Sequence, residues 1–181
     1  NLMKGLISVL SAGDTWLFQS IIQKCRCSLL DIAMSKLTHL GGAFFTIFVC
    51  LSLIVSDFRN MRMPAIHAFM ALSISQVLVQ LLKRKIGRPR PYFIFSNIKV
   101  KKPLFDFSFP SGHSTAGYAL AVMFSLDFPF LFLPLVTLAT LIGFSRTYLG
   151  FHYPLDVAMG AVVGGGTAFT IHQCISLTSF L

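Results

Sequence analysis

At 181 residues the chain is 55% hydrophobic and only 12% charged, with a mean hydropathy of +0.75. Soluble domains carry about 25% charged residues, so this composition excludes an ordinary water-soluble fold. The formal charge of +9 comes from fifteen basic and six acidic residues without one glutamate. No soluble module accompanies it to read nucleic acid, and no carboxylate cluster is present to hold a metal.

In chain order, the first forty residues come as an apolar stretch broken by Lys4, Asp14 and Gln19. Only thirteen residues precede Asp14, too few to cross a bilayer. Beyond it Leu17, Ile21, Ile22, Leu29, Leu30, Ile32 and Ala33 alternate with Gln23, Lys24, Arg26 and Lys36, which predicts amphipathic helices lying at the membrane interface. Five nearly charge-free stretches follow, over 41–55, 64–82, 114–126, 130–144 and 155–175. A spanning helix needs roughly 17–25 residues. The second and fifth reach that length alone, and the others only with polar ends, which are tolerated where they line a cavity. Alternating strand patterns and fixed-period repeats are absent. The expectation is an all-α integral membrane protein: a single domain with an interfacial segment over 1–40 and a bundle of about five transmembrane helices over 41–181. Cys25, Cys27, Cys50 and Cys174 show no metal-ligand spacing, and the apolar setting of Cys50 and Cys174 predicts packing.

The positive charge is concentrated. Eight of the fifteen basic residues, Lys83, Arg84, Lys85, Arg88, Arg90, Lys99, Lys101 and Lys102, lie between the second and third stretches. Such a cluster is an anionic-lipid contact, a topology signal or a phosphate site. Its neighbours bear on the choice. Three segments stand at span ends that share one face: Lys83 through Pro91, Phe109 through Ser114, and Ser145 through Asp156. Together they hold cations, hydroxyls and imidazoles beside Gly and Pro residues that shape the backbone. Taken singly, each has a plain reading. His152 and Asp156 are an interfacial histidine next to a helix-capping aspartate, and Ser111 is an ordinary N-cap.

Taken together, Lys83-x6-Arg90-Pro91, Pro110-Ser111-Gly112-His113 and Ser145-Arg146-x5-His152-x3-Asp156 resemble the motifs of the type 2 phosphatidic acid phosphatase family, which shares its site with vanadium haloperoxidases. Order and internal spacing match throughout. Asp14 and the segment from Leu30-Asp31 through Thr38-His39-Leu40-Gly41 look like the family's N-terminal amphipathic region, so the resemblance covers nearly the whole chain. Many relatives have a sixth span before the position of Asp14, and here it is expected to be truncated or absent.

The resemblance implies a metal-free, cofactor-free lipid phosphatase working through a phospho-histidine. His152 is the expected nucleophile, and Asp156 the carboxylate that accepts its other ring N–H and sets its tautomer. His113 is the expected general acid for the lipid alkoxide. Lys83, Arg90 and Arg146 form a phosphate clamp, with Ser111, Gly112 and the start of the third span offering donors. Arg84, Lys85, Arg88, Lys99, Lys101 and Lys102 match no motif position and read as headgroup contacts. Gly160, Gly164, Gly165 and Gly166 read as a small-residue face for close helix packing.

Expected partners are the bilayer and a membrane lipid phosphate: phosphatidylglycerophosphate, phosphatidate, undecaprenyl pyrophosphate or lipid A phosphate. No nucleic acid is expected. Two other functions stay open, a lipid phosphotransferase that passes the phosphoryl group to an alcohol and a non-catalytic membrane protein with a relict site. The expected location is a bacterial inner membrane with the site on the periplasmic face, although a literal count of positive charge favours the cytoplasm.

Overall fold

The structure, a computed structural model, describes residues 2–56, 58–98, 100 and 103–178, with side chains for all of these except 2–11 and 59. Lys99, Lys101 and Lys102, expected to touch headgroups, lie outside or between the described residues. Every regular element described is helical: α1 (Leu2–Lys24), α2 (Ser28–Leu37), a 3₁₀ turn (Thr38–Gly41), α3 (Ala43–Ser56), a 3₁₀ turn (Phe58–Asn60), α4 (Arg62–Ile86), the short α5 (Pro91–Ile94), α6 (Gly112–Asp127), a 3₁₀ turn (Pro129–Leu131), α7 (Phe132–Tyr148) and α8 (Pro154–Thr178).

Among the described residues three stretches are long and apolar enough to cross a membrane: Arg62–Ile94, Pro129–Tyr148 and Pro154–Thr178. A fourth forms if α2 with its 3₁₀ turn and α3, which meet at a 53° bend, count as one broken span. The remaining expected span is α6, and it differs from the expectation in length. Its 16 residues cover about 24 Å, short of the roughly 30 Å hydrocarbon core. Position explains the difference. Helix α6 is the centre of the bundle, packed against α4, α7 and α8, so it is screened from lipid by protein.

Small residues allow this close packing, because lipid tails supply no hydrophobic drive between helices. The core is built largely from Ala65, Ala68, Ala71, Ala116, Ala119 and Ala168, closed by Leu72, Met123 and Phe124. A Cβ on Gly164 would lie 2.1 Å from the Thr115 carbonyl oxygen, and one on Gly160 would lie 2.6 Å from that of Ser111. A Cβ on Gly166 would meet no described residue within 4 Å, so the glycine face of α8 divides into members that contact α6 and one that does not. Large apolar side chains point outward instead, among them Phe44, Phe48, Phe130, Leu133 and Phe169. Cys50 is in the core, whereas Cys174 is exposed.

Helix α1 is continuous through Asp14. Trp16 and Leu17 are exposed, while Asp14, Phe18 and Ile22 turn inward, Phe18 and Ile22 packing with Ile98 and Tyr153. Helix α2 is tied to the end of α7 by the Tyr148 hydroxyl, which donates to Asp31 Oδ1 at 2.7 Å. These contacts bring the N-terminal segment up to the face where the three motif segments meet.

Candidate active site

Each motif residue sits where a helix starts or stops. Helix α4 ends on Gly87, whose φ of 65° lies in the left-handed region and whose N–H bonds the Lys83 carbonyl at 3.0 Å. Lys83 is thereby held on the last turn. Arg90 is extended before Pro91, which opens α5. Ser111 caps α6, accepting from the Ser114 N–H at 3.5 Å, and Gly112 and His113 follow in the first turn. Arg146 is in the last turn of α7, and its carbonyl accepts the N–H groups of Phe151 and His152 at 3.0 and 3.2 Å. That return is made by Gly150, with φ of 81°, which presses on Ile98 where a Cβ would come within 2.6 Å. Pro154 then starts α8, with Asp156 in its first turn.

Lys83, Arg90, Gly112, His113, Arg146 and His152 converge on one cavity of about 420 Å³. From this cationic end the cavity runs between α3, α4 and α6 along Ile47, Phe69 and Leu72. Gln76 ties α4 to the start of α6 by donating to the Gly112 carbonyl at 3.0 Å. Ser111 and Asp156 are both buried and are not among the lining residues.

The His152 ring is held from both sides. Nδ1 lies 2.7 Å from the Ser108 carbonyl oxygen, which can only accept, so Nδ1 carries the proton. Nε2 keeps its lone pair and lies 3.1 Å from Arg90 Nη1. The ring is buried, and that burial, reinforced by Arg146 and Arg90 against the opposing pull of Asp156, lowers its pKa from 6.5 to about 4. Asp156 stands one step further back than expected, with Oδ2 3.7 Å from Nδ1. Instead Oδ2 accepts from the Ser108 hydroxyl at 2.5 Å and the Tyr153 N–H at 2.9 Å. The carboxylate therefore holds Ser108, and the Ser108 carbonyl holds the ring.

The cations are arranged around a carboxylate that no motif contains. Asp106 accepts from Lys83 and from Arg90 Nη2 at 2.6 Å, while Arg90 Nε donates to the Asp106 carbonyl at 2.9 Å. Burial acts to raise the Asp106 pKa, but Lys83 and Arg90 together hold it below the ordinary carboxylate value. Arg146 stacks on the Phe151 ring at 4.2 Å and donates from Nη1 to Thr38 Oγ1 at 2.8 Å. Its Nε is buried and has no hydrogen-bond partner among the described residues. An unmet buried donor costs about 1–3 kcal/mol, and an anionic oxygen would satisfy it.

Arg88 departs from its expected headgroup role. Its Nη1 donates to Asp156 Oδ1 at 2.6 Å and its Nη2 to Asp14 Oδ2 at 2.7 Å, with the guanidinium 3.9 Å above the Tyr153 ring. Asp14 also accepts the Leu155 N–H at 2.8 Å. Asp14, Thr38, Arg88, Asp106 and Ser108 are thus site neighbours whose spacing along the chain gives no warning. One signal was available for Asp14, since a lone acid within an apolar helix requires a partner.

Comparison with known proteins identifies the family. The model of the PAP2 superfamily matches residues 64–179, more than half of the chain. A lipid A 1-phosphatase of Rhizobium etli is 38% identical over 104 residues, 55% of this chain and 45% of that protein. The chain thus spans about half the length of the lipid A 1-phosphatases it matches, 45% and 48% in the two cases. An undecaprenyl-diphosphatase of Sulfolobus acidocaldarius is 28% identical, with 82% of this chain and 72% of that protein aligned. The crystal structure of Aquifex aeolicus LpxE superposes with a TM-score of 0.79 at 29% identity, covering 88% of this chain and 94% of that one. The motif residues meet on one face of a helical membrane bundle, and the family model matches from α4 through α8: the chain belongs to the PAP2 superfamily.

Proposed function

We propose that the chain is a metal-independent phosphatase that hydrolyses a phosphate monoester or diphosphate of a membrane lipid through a phospho-histidine at His152. The observation that carries this reading is the His152 tautomer: Nδ1–H on the Ser108 carbonyl leaves the Nε2 lone pair beside Arg90 in the cationic cavity. A ring that is neutral at pH 7 can attack phosphorus, whereas an imidazolium cannot.

In the forward half-reaction Nε2 bonds to phosphorus as the ester P–O bond breaks, and His113, protonated once the bound phosphate anion offsets the surrounding cations, gives that proton to the leaving lipid oxygen. In the second half His113 takes a proton from water, whose oxygen attacks phosphorus and releases His152. Lys83, Arg90 and Arg146 neutralise charge on the equatorial oxygens, the role that positioning and electrostatics play in phosphoryl transfer. The Arg146 Nε without a partner suits one such oxygen. The apolar continuation along Ile47, Phe69 and Leu72 fits the hydrocarbon of an amphiphile. The named relatives act on lipid A and undecaprenyl diphosphate, which places lipid phosphates of the cell envelope first in the panel to test.

The test is a rapid quench with a ³²P-labelled lipid phosphate and the purified chain in detergent. An acid-labile, base-stable phosphoenzyme is expected, absent from His152→Ala. A labelled protein of the same lability in His152→Ala would move the nucleophile elsewhere.

A further inference from the structure

Arg88 lies two residues before Arg90 but does not line the cavity, its guanidinium being paired with Asp156 and Asp14 instead. It contacts the rear of the nucleophile's support. Its side chain joins two carboxylates from distant parts of the chain, Asp156 at the start of α8 and Asp14 on α1. Its main-chain carbonyl accepts the Ser108 N–H at 2.8 Å. Ser108 is therefore held twice through Arg88, directly by backbone and indirectly by the Asp156 carboxylate that accepts its hydroxyl. The Ser108 carbonyl in turn fixes His152. The planar fork suits this bridge, since its two terminal nitrogens reach two acids at once while the face rests on Tyr153.

Asp14 does two things with its two oxygens. Oδ2 holds Arg88, and Oδ1 caps the Leu155 N–H at the start of α8, one residue from Asp156. Asp14 lies outside the segment that the family model matches, residues 64–179. We infer that Arg88 and Asp14 are positioning residues for the His152 nucleophile, acting through Asp156 and Ser108, and that α1 is therefore a working part of the catalytic centre. This inference rests on the phosphatase reading above.

The experiment uses the full chain in detergent micelles, following phosphate release from a lipid phosphate, with vanadate inhibition and thermal unfolding measured on each preparation. Arg88→Met should lower kcat by roughly 10²-fold, the usual loss from a misplaced reacting group, with KM and vanadate inhibition within about threefold of wild type. Arg88→Lys should recover part of that loss, since an ammonium reaches one carboxylate at a time. Asp14→Ala should lower kcat by about tenfold, and the double variant Asp14→Ala/Arg88→Met should be no slower than Arg88→Met alone, because both act along one route. A folded Arg88→Met with unchanged kcat would overturn the inference. So would a weakened KM and vanadate inhibition at unchanged kcat, which would make Arg88 a phosphate contact, or multiplying effects in the double variant. If Arg88→Met does not fold, Arg88→Lys and Asp14→Ala decide by the same split between kcat and KM. Absence of phosphate release by the wild-type chain would instead count against the phosphatase reading itself.

Discussion

At the scale of single residues, the proposed chemistry turns on the location of one proton. His152 donates from Nδ1 to a main-chain oxygen and has its pKa lowered to about 4, so it is neutral throughout the physiological range. Histidine NMR of the free enzyme should show this ring, identified by its loss in His152→Gln, still neutral at pH 5.5, and a midpoint near 6.5 would contradict the burial argument. The same shift has a consequence for stability. The unfolded imidazole takes up its proton near 6.5 and the folded one only near 4, so the unfolded chain binds more protons between those values. This contribution is whole above pH 6.5 and is lost as the pH falls toward 4. Thermal unfolding in detergent at pH 7 and pH 5 should show a smaller loss for His152→Gln than for wild type. The two histidines should also differ in kind: His113→Ala is expected to slow turnover by roughly 10²–10⁴, the worth of a positioned acid, and still form phosphoenzyme from a substrate with a good leaving group. If Lys83, Arg90 and Arg146 carry the phosphate charge as proposed, chelation by EDTA should leave turnover intact and vanadate should inhibit. Loss on chelation that Mg²⁺ restores would contradict the clamp. Lys83, Arg90, His113, Arg146 and His152 were legible beforehand because short segments hold them in fixed spacing. Asp106, Ser108 and Arg88 were not, because a loop carboxylate or a lone arginine acquires meaning only from what the fold places against it.

At the scale of helices, the glycines of α8 separate packing from composition. Four of them drew notice as one small-residue face, yet only the close approaches to α6 constrain the side chain. Gly164→Ala pushes a methyl group against the Thr115 main chain at 2.1 Å, which backbone cannot relieve cheaply, whereas Gly166→Ala meets open space. Gly164→Ala should cost about 1–3 kcal/mol, the usual range for overpacking, seen as a lowered midpoint in thermal unfolding, while Gly166→Ala should stay near wild type. Equal midpoints would mean that α6 and α8 are not in this contact. The long apolar runs that became α4 and α8 were plain from hydropathy. Helix α6 was harder to place, because its Ser114, Thr115 and Gly117 are polar or small for a reason that only its central position supplies. A helix enclosed by α4, α7 and α8 has neither to match the bilayer in length nor to present apolar bulk to lipid.

At the scale of the whole molecule, one question is which way the bundle faces. Outside the N-terminal segment nine basic residues lie on the catalytic face, and Arg59 and Arg62 are the two on the other. Taken literally, that asymmetry orients the site toward the cytoplasm. The structure weakens the count in a specific way. Lys83 and Arg90 are committed to Asp106, Arg88 to Asp14 and Asp156, and Arg146 to Thr38, so these four are part of the folded site. Removing them leaves five against two, and three of the five, Lys99, Lys101 and Lys102, fall in sequence between α5 and α6. A loop that meets anionic headgroups needs such charge on either side of a membrane. The family resemblance favours the outer face, and labelling tests it. Asn97 is exposed beyond α5 on the catalytic face, and Asn60 is exposed in the turn before α4 at the other end. With the native cysteines replaced, a cysteine at position 97 should react with a membrane-impermeant maleimide in intact cells, and one at position 60 should react only after permeabilisation. The reverse pattern would put His152 in the cytoplasm, where a phosphatase of newly made lipids, rather than one recycling envelope lipids, would be the function to pursue.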